Sequence, residues 1–119
     1  MDLQNTIKNK FSLTGVSLHK GKVVKITVRP AAANYGVRFL RTDILSKDPI
    51  VQAIYSSVSD TKFSTKISNR DGTSVQTVEH LMAALAGTGV HNALIEIDGP
   101  ELPILDGSSK EFVKKILFV

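Results

Sequence analysis

The sequence contains no cysteine and no tryptophan, and only 6% of its residues are aromatic. Without cysteine, the chain forms no disulfide, holds no cysteine-ligated zinc or iron–sulfur cluster and has no thiol nucleophile. Any bound metal ion must therefore be held by His, Asp or Glu side chains. No run of basic and aromatic residues provides the stacking surface that single-stranded RNA requires, so binding to nucleic acid is not expected.

Long apolar runs are also missing. No stretch reaches the roughly 18 apolar residues that a membrane-spanning helix needs. The first five residues, Met-Asp-Leu-Gln-Asn, lack the basic and then apolar order of a signal peptide. The sequence therefore predicts a soluble, cytoplasmic protein.

The chain has 119 residues, of which 42% are hydrophobic. This is enough for one two-layer domain with a single core. No repeat or Pro/Gly-rich linker divides the sequence, so residues 1–119 are predicted to form a single domain. The net charge of +4 is spread over scattered lysines. Such a charge is typical of a solvated surface, and it also suits an anionic partner such as a phosphorylated substrate, an acidic membrane surface or RNA.

The first 70 residues have the pattern of β-strands. Val24, Ile26 and Val28 alternate with polar residues, as in a half-buried strand, and Pro30 ends this strand. Further strands are predicted at residues 11–16, 37–41 and 61–67, a hairpin loop at residues 18–21 and a turn at residues 69–72.

A helical period follows Gly72. Apolar residues three or four apart predict an amphipathic helix: Val75, Val78, Leu81, Met82 and Leu85. Gly87 and Gly89 end this helix, and Thr73, Ser74 or Thr77 caps its start. A strand at residues 93–97 and a turn at residues 98–100 come next.

A second helix is predicted after Ser108, which has the capping-box spacing with Glu111. Its buried stripe is predicted to comprise Phe112, Val113, Ile116 and Leu117. No stop signal precedes Val119, so the chain is expected to be cut short. This order of elements predicts an α+β two-layer sandwich, in which a mixed or antiparallel sheet carries both helices on one face.

The adjacent residues Glu79 and His80 are the first candidates for chemistry. They lie in the first turns of the first predicted helix, where an ionisable pair among buried positions needs partners or an opening into a site. Spacing alone favours a structural role, in which the Glu complements the helix dipole and the His is a hydrogen-bonded border residue. A zincin helix carries a second His four residues on, but here Ala84 is found, so the helix offers one ligand.

Three further residues are weaker candidates. His19 lies in the predicted hairpin loop, where an exposed polar residue is the ordinary expectation and a place in a site the alternative. His91 is interpreted as a turn residue that hydrogen-bonds locally, although a three-His zinc site with His19 and His80 is conceivable. Asp106 is either a cap ahead of the second helix or a carboxylate at the edge of a site.

Three motifs are spaced along the chain. They are Thr-Gly-Val-Ser-Leu-His-Lys-Gly at residues 14–21, Thr-Val-Glu-His-Leu at residues 77–81 followed by Ala-Ala-Leu-Ala-Gly at residues 83–87, and Pro-Ile-Leu-Asp-Gly-Ser at residues 103–108. In this order and spacing, the sequence resembles the N-terminal half of the UDP-3-O-acyl-N-acetylglucosamine deacetylases of lipid A biosynthesis. The resemblance covers nearly all of the chain, and Arg29-Pro30, Arg41-Thr42-Asp43 and Asp60-Thr61 fit it between the motifs.

The resemblance implies a zinc-dependent amidase that removes the N-acetyl group from an acylated UDP-glucosamine. Such an enzyme consists of two similar α+β halves whose helices pack face to face. By the resemblance, His80 is a zinc ligand and Glu79 the general base. Two more zinc ligands, a His and an Asp, and the His that protonates the leaving amine belong to the second half. That half is absent from this sequence, so the chain alone is expected to be inactive or nearly so.

The resemblance also places residues around the substrate. His19 and Asp106 lie near the site, with His19 a candidate for substrate binding. Phe63 and Ser64 occupy a small inserted region beside the substrate, where this chain departs from the commoner Leu-Cys pair.

The expected partners are the substrate, UDP-3-O-acyl-N-acetylglucosamine, and the missing C-terminal domain. The helix face meant for that domain is expected to be uncovered, which predicts self-association. The alternatives are a small basic RNA-binding module and a non-catalytic interaction domain, in which Glu79 and His80 are only the border of a helix.

Overall fold

The computed structural model describes residues 4–118. In chain order, the elements of this part are β1 (Phe11–Val16), β2 (Val23–Pro30), β3 (Val37–Arg41), β4 (Ile50–Gln52), a 3-10 turn (Tyr55–Ser57), β5 (Val58–Asp60), β6 (Lys66–Ser68), β7 (Ser74–Gln76), α1 (Glu79–Gly87), β8 (Ala93–Ile97) and α2 (Lys110–Leu117). Neither helix is long and apolar enough to cross a membrane.

The larger sheet has five strands in the order β1-β2-β8-β3-β4. β8 pairs antiparallel with β2 and parallel with β3, so the sheet is mixed, as predicted. β1 and β2 pair from Phe11 and Val28 to Val16 and Val23, and the connection between them is the predicted hairpin loop. Alternation buries one face of each central strand.

Both helices cover this buried face. Leu81, Ala84 and Leu85 of α1 and Phe112 and Ile116 of α2 belong to one apolar cluster with the inward side chains of β2, β3 and β8. The helices also contact each other. The predicted α+β two-layer sandwich with both helices on one face is confirmed.

A second, three-stranded antiparallel sheet has the order β5-β6-β7. The prediction of a strand over residues 61–67 is wrong for most of its length, because only Lys66 and Ile67 lie in β6. The Asp60 carboxylate accepts the Lys62 N–H at 2.8 Å and turns the chain. Phe63 is 76% exposed, whereas Ile67 in β6 is buried.

The first helix begins later than predicted. Val75 is buried, but it lies in β7 and not on a helix. The Gln76 N–H donates to the Pro100 carbonyl at 2.8 Å and its carbonyl accepts the Leu102 N–H at 3.1 Å, so the chain stays extended there.

The predicted caps of the first helix are also wrong. The N-cap position of α1 is Val78, and no side chain caps it. The predicted end is confirmed, since α1 ends at Gly87 and the chain turns through Gly89 at φ +75°.

The second helix differs from its prediction at both ends. The capping box is wrong, because the Ser108 N–H donates to Asp106 Oδ1 and so is not available to Glu111. Phe112 and Ile116 are buried as predicted, but Leu117 is 66% exposed at the last turn. α2 ends at Leu117, and the expectation about Val119 lies outside the described residues.

Candidate active site

Glu79 is the first residue of α1, and its two carboxylate oxygens have different surroundings. Oε2 accepts the Thr65 N–H at 3.1 Å. Oε1 is buried and has no hydrogen-bond partner among residues 4–118. A buried carboxylate oxygen without a partner is costly. Oε1 is therefore the atom placed to receive a hydrogen bond or a proton from a ligand.

The loop before β6 holds this carboxylate in place. The Thr65 carbonyl accepts the N–H of Thr77 at 2.8 Å and that of Val78 at 3.4 Å, while its own N–H binds Glu79. One residue thus fixes both the backbone that leads into α1 and the first side chain of the helix.

His80 follows on the same helical turn and is half-buried. Its imidazole makes no hydrogen bond to another residue of the described chain, so both ring nitrogens are available to a ligand. A carboxylate with a free oxygen can take a proton from water, and a neutral imidazole can bind a divalent metal ion.

A complete metal site is not formed by this part of the protein. Within residues 4–118, no group of three His, Asp or Glu side chains is close enough to hold a metal ion. The three-His site is therefore wrong. His91 has a structural role instead, because its Nδ1 accepts the N–H of Asn5 at 2.9 Å, a partner distant in sequence and not local. The described residues fit one metal ligand, His80, with Glu79 beside it.

His19 lies in the β1–β2 loop and is anchored to a carboxylate. Its Nδ1 lies 2.5 Å from Oε2 of Glu101, and its backbone N–H donates to Oε1 of Glu101 at 2.9 Å. The side chain is 33% exposed. His19 is therefore neither fully exposed nor buried, and its ring is fixed at Nδ1.

Glu101, which sequence reasoning missed, connects this loop to α1. Its side chain is fully buried, and Oε2 also accepts the Thr77 hydroxyl at 2.7 Å. Burial alone raises the pKa of Glu101, but hydrogen bonds from Thr77, His19 and Lys20 outweigh it, so the pKa lies below its ordinary value. The available signal was weak: a single carboxylate between Pro100 and Leu102, directly after the predicted turn at residues 98–100.

Phe63 and Ser64 lie in the segment between β5 and β6 that leads to Glu79. Ser64 Oγ accepts the Gln76 amide N–H at 3.1 Å, and the next residue, Thr65, binds the Glu79 carboxylate. Phe63 projects outward, with the Lys62 ammonium 5.3 Å from its ring centre. Ser64 is therefore separated from the Glu79 carboxylate by one residue, Thr65. Phe63, the residue before Ser64, lies on the surface.

Asp106 caps its own turn. Its Oδ1 accepts the N–H of Ser108 at 3.0 Å and the hydroxyl of Ser108 at 2.8 Å, and these bonds lower the pKa of the carboxyl. No hydrogen bond joins Asp106 to Glu79 or His80 among the described residues. The segment before it does approach the His19 loop, since the Ile104 N–H donates to the Val16 carbonyl at 3.0 Å.

An apolar groove of about 150 Å³ borders the same region. Its lining includes Ile54, Val58, Ile67, Val78 and Met82, together with Thr65. Because Thr65 also binds Glu79, the groove lies next to the candidate pair.

Residues 4–119 match the model of the family described as LpxC, UDP-3-O-acyl N-acetylglycosamine deacetylase. A Shewanella halifaxensis protein named UDP-3-O-acyl-N-acetylglucosamine deacetylase is 46% identical over 113 residues, which are 95% of this chain and 37% of the relative. Proteins of that name from Vibrio cholerae and Aliivibrio fischeri are 50% identical over 112 residues, covering 92% of this chain and 36% of theirs.

The chain therefore belongs to the UDP-3-O-acyl-N-acetylglucosamine deacetylase family. It spans little more than a third of the length of the curated relatives it matches.

Proposed function

We propose that this chain supplies one half of the active site of a zinc-dependent deacetylase. The reaction is hydrolysis of the N-acetyl amide of UDP-3-O-acyl-N-acetylglucosamine, with release of acetate, in lipid A biosynthesis in the cytoplasm. The observation that carries the proposal is the buried Oε1 of Glu79, which has no hydrogen-bond partner within residues 4–118, followed directly in the chain by the half-buried His80, in a chain of this family. Residues 1–119 then act as a single domain equivalent to the N-terminal half of a two-domain enzyme.

His80 is the residue of this chain that would hold zinc. Catalytic zinc has three protein ligands and one open position, so two ligands must come from the C-terminal domain. When bound, zinc polarises the amide carbonyl and stabilises the negative charge that develops on its oxygen. The isolated chain is accordingly expected to bind zinc weakly and to lack activity.

Glu79 is the general base. The Thr65 N–H holds Oε2, which leaves Oε1 to accept the proton of the attacking water. General-base catalysis of this kind contributes about 100 to 10,000-fold.

Three residues would contact the substrate and a fourth would lie at the edge of the site. The His19 side chain is partly exposed, Phe63 is exposed, and Ser64 precedes Thr65, whose N–H binds Glu79. Asp106 follows a segment paired with the end of β1. A net charge of +4 also suits a substrate with a diphosphate group.

A chimaera tests the proposal. Residues 1–119 of this chain replace the matching segment of the Vibrio cholerae relative, which is 50% identical to it. We expect the chimaera to release acetate from UDP-3-O-acyl-N-acetylglucosamine and the isolated chain to release none. A folded chimaera without activity would overturn the proposal. Tight, stoichiometric zinc in the isolated chain would also contradict it, because that requires a full ligand set here.

A further inference from the structure

Glu101 has no role in the function proposed above, yet it is the most heavily bonded side chain near the site. Oε1 accepts the backbone N–H groups of His19 at 2.9 Å and Lys20 at 3.1 Å. Oε2 lies 2.5 Å from Nδ1 of His19 and accepts the Thr77 hydroxyl at 2.7 Å. A fully buried carboxylate is stable only with such partners.

The backbone of Glu101 is fixed as well. It forms an isolated parallel bridge with Gln76, in which Gln76 bonds to Pro100 and Leu102 on either side. The carboxylate therefore projects from a paired segment and not from a free loop. Its position relative to the β1–β2 loop and to the start of α1 is set by this pairing.

Glu101 also binds the side chain of Thr77. The φ of Thr77 is +62°, a left-handed conformation that is rare and costly for a β-branched residue. The Thr65 carbonyl holds its N–H and Glu101 holds its hydroxyl. Because Val78 and Glu79 follow directly, the conformation of Thr77 sets the direction in which Glu79 and His80 leave the small sheet.

His19 is held in one orientation. An ionised carboxylate only accepts hydrogen bonds, so Nδ1 of His19 must carry the hydrogen. In the neutral ring, the lone pair is then on Nε2, on the ring edge away from Glu101. That atom can accept a hydrogen bond from a donor such as a sugar hydroxyl.

We propose that Glu101 is a positioning residue of this site. It holds His19 as the Nδ1–H tautomer with Nε2 open to a substrate hydroxyl, and it holds Thr77 in the conformation that directs Glu79 and His80. The catalytic part of this inference rests on the proposed function, while the orientation of His19 does not.

The orientation is tested on this chain by long-range ¹H–¹⁵N NMR of the imidazole nitrogens. In the wild-type chain the neutral form of His19 should carry its hydrogen on Nδ1. In Glu101→Gln the amide offers an N–H where the network needs an acceptor, so a mixture of tautomers is expected. Glu96→Gln is the control, since Glu96 pairs with Arg29 on β2 and should leave His19 unchanged. A wild-type ring with its hydrogen mainly on Nε2 would overturn the inference.

The catalytic part is tested in the chimaera. Glu101→Gln should lower kcat/KM by about 10 to 100-fold, an effect as large as the loss of the hydrogen-bond partner behind a metal-bound histidine, with zinc content unchanged. His19→Gln removes one of the two side chains that Glu101 binds, so Glu101→Gln should reduce kcat/KM by a smaller factor in that background.

If the role of Glu101 is purely structural, Glu101→Gln lowers the melting temperature and leaves kcat and KM per folded molecule unchanged. That result would overturn the catalytic part alone. An inactive wild-type chimaera would overturn that part together with the proposed function, and the NMR result would still decide the orientation of His19.

Discussion

At the scale of single residues, one oxygen of the Glu79 carboxylate accepts the Thr65 N–H, and the other has no hydrogen-bond partner within residues 4–118. Replacement by Gln keeps the shape of the side chain and removes the base. In the chimaera, Glu79→Gln should therefore reduce kcat by about 100 to 10,000-fold, while zinc content stays close to that of the wild type. Acetate release and metal analysis on the same samples measure both quantities. Equal losses of zinc and activity would show that Glu79 acts through the metal site and not as the base.

Asp43 provides a test of pH-dependent stability. Arg41 donates to its two oxygens at 2.8 and 2.7 Å, and this hydrogen bonding lowers the pKa of the Asp43 carboxyl. A carboxyl whose pKa is lower in the folded state stabilises that state above its unfolded value of about 3.9. This contribution is lost as the pH falls through the folded pKa.

The Asp43→Asn variant should therefore be less stable than the wild type at pH 7 and pH 5, with the difference shrinking below about pH 4. Urea unfolding at several pH values measures it. Glu111→Gln is the control, because Glu111 lies 3.9 Å from Lys114 on an exposed surface and should change stability little at any pH. A difference for Asp43→Asn that is constant with pH would contradict the expectation.

The residues of the candidate site were predicted unequally. The pair Glu79 and His80 and the loop histidine His19 lie in short motifs, so the sequence alone indicated them. Glu101 was not indicated, because its partners His19 and Thr77 are 82 and 24 residues away. A single Glu after a turn has no local pattern that distinguishes a buried, hydrogen-bonded carboxylate from a solvated charge.

At the scale of elements, β1 packs closely against the segment that leads to Asp106. A Cβ atom added at Gly15 would lie 2.8 Å from Pro103 Cβ and 3.1 Å from a methyl carbon of Leu105. Gly15→Ala should therefore push this segment away from β1 and lower the free energy of unfolding by about 1–3 kcal/mol. Urea unfolding measures the change.

The matched control is Gly87→Ala at the end of α1. A Cβ atom there meets no atom within 4 Å, and Ala has the higher helix propensity. This variant should be neutral or slightly stabilising. If Gly15→Ala and Gly87→Ala change the free energy of unfolding equally, the close approach of Pro103 and Leu105 is not the reason for a glycine at position 15.

Strand alternation predicted the central strands well, because a half-buried strand shows its burial in its own residues. β4 and the short strands of the small sheet were missed or misplaced. Each has three residues, too few for a period to appear. The start of α1 was misplaced for a related reason: Val75 and Val78 fit a helical spacing, yet Gln76 pairs with residues 100 and 102.

At the scale of the whole molecule, apolar surface remains exposed beside the site and on the helix layer. Leu117 of α2 is 66% exposed and Phe63 is 76% exposed. The isolated chain is expected to self-associate through the helix face at high concentration. Leu117→Glu should reduce this association, whereas Leu45→Glu, at a leucine that is 95% exposed in a loop, should not. Sedimentation velocity at several concentrations measures it, and a monomer throughout would contradict the expectation.

The amino-acid sequence by itself determined the α+β class, the central strands and the adjacent carboxylate and imidazole of α1. These features depend on residues that are neighbours in the chain, where alternation, helical spacing and motifs are visible. Only the tertiary structure decided that the Thr65 N–H binds one oxygen of Glu79, that His91 binds Asn5, and that Glu101 joins His19 to Thr77. Each of these contacts joins residues far apart in sequence, and they meet only because the packed sheet and helices bring their backbones together.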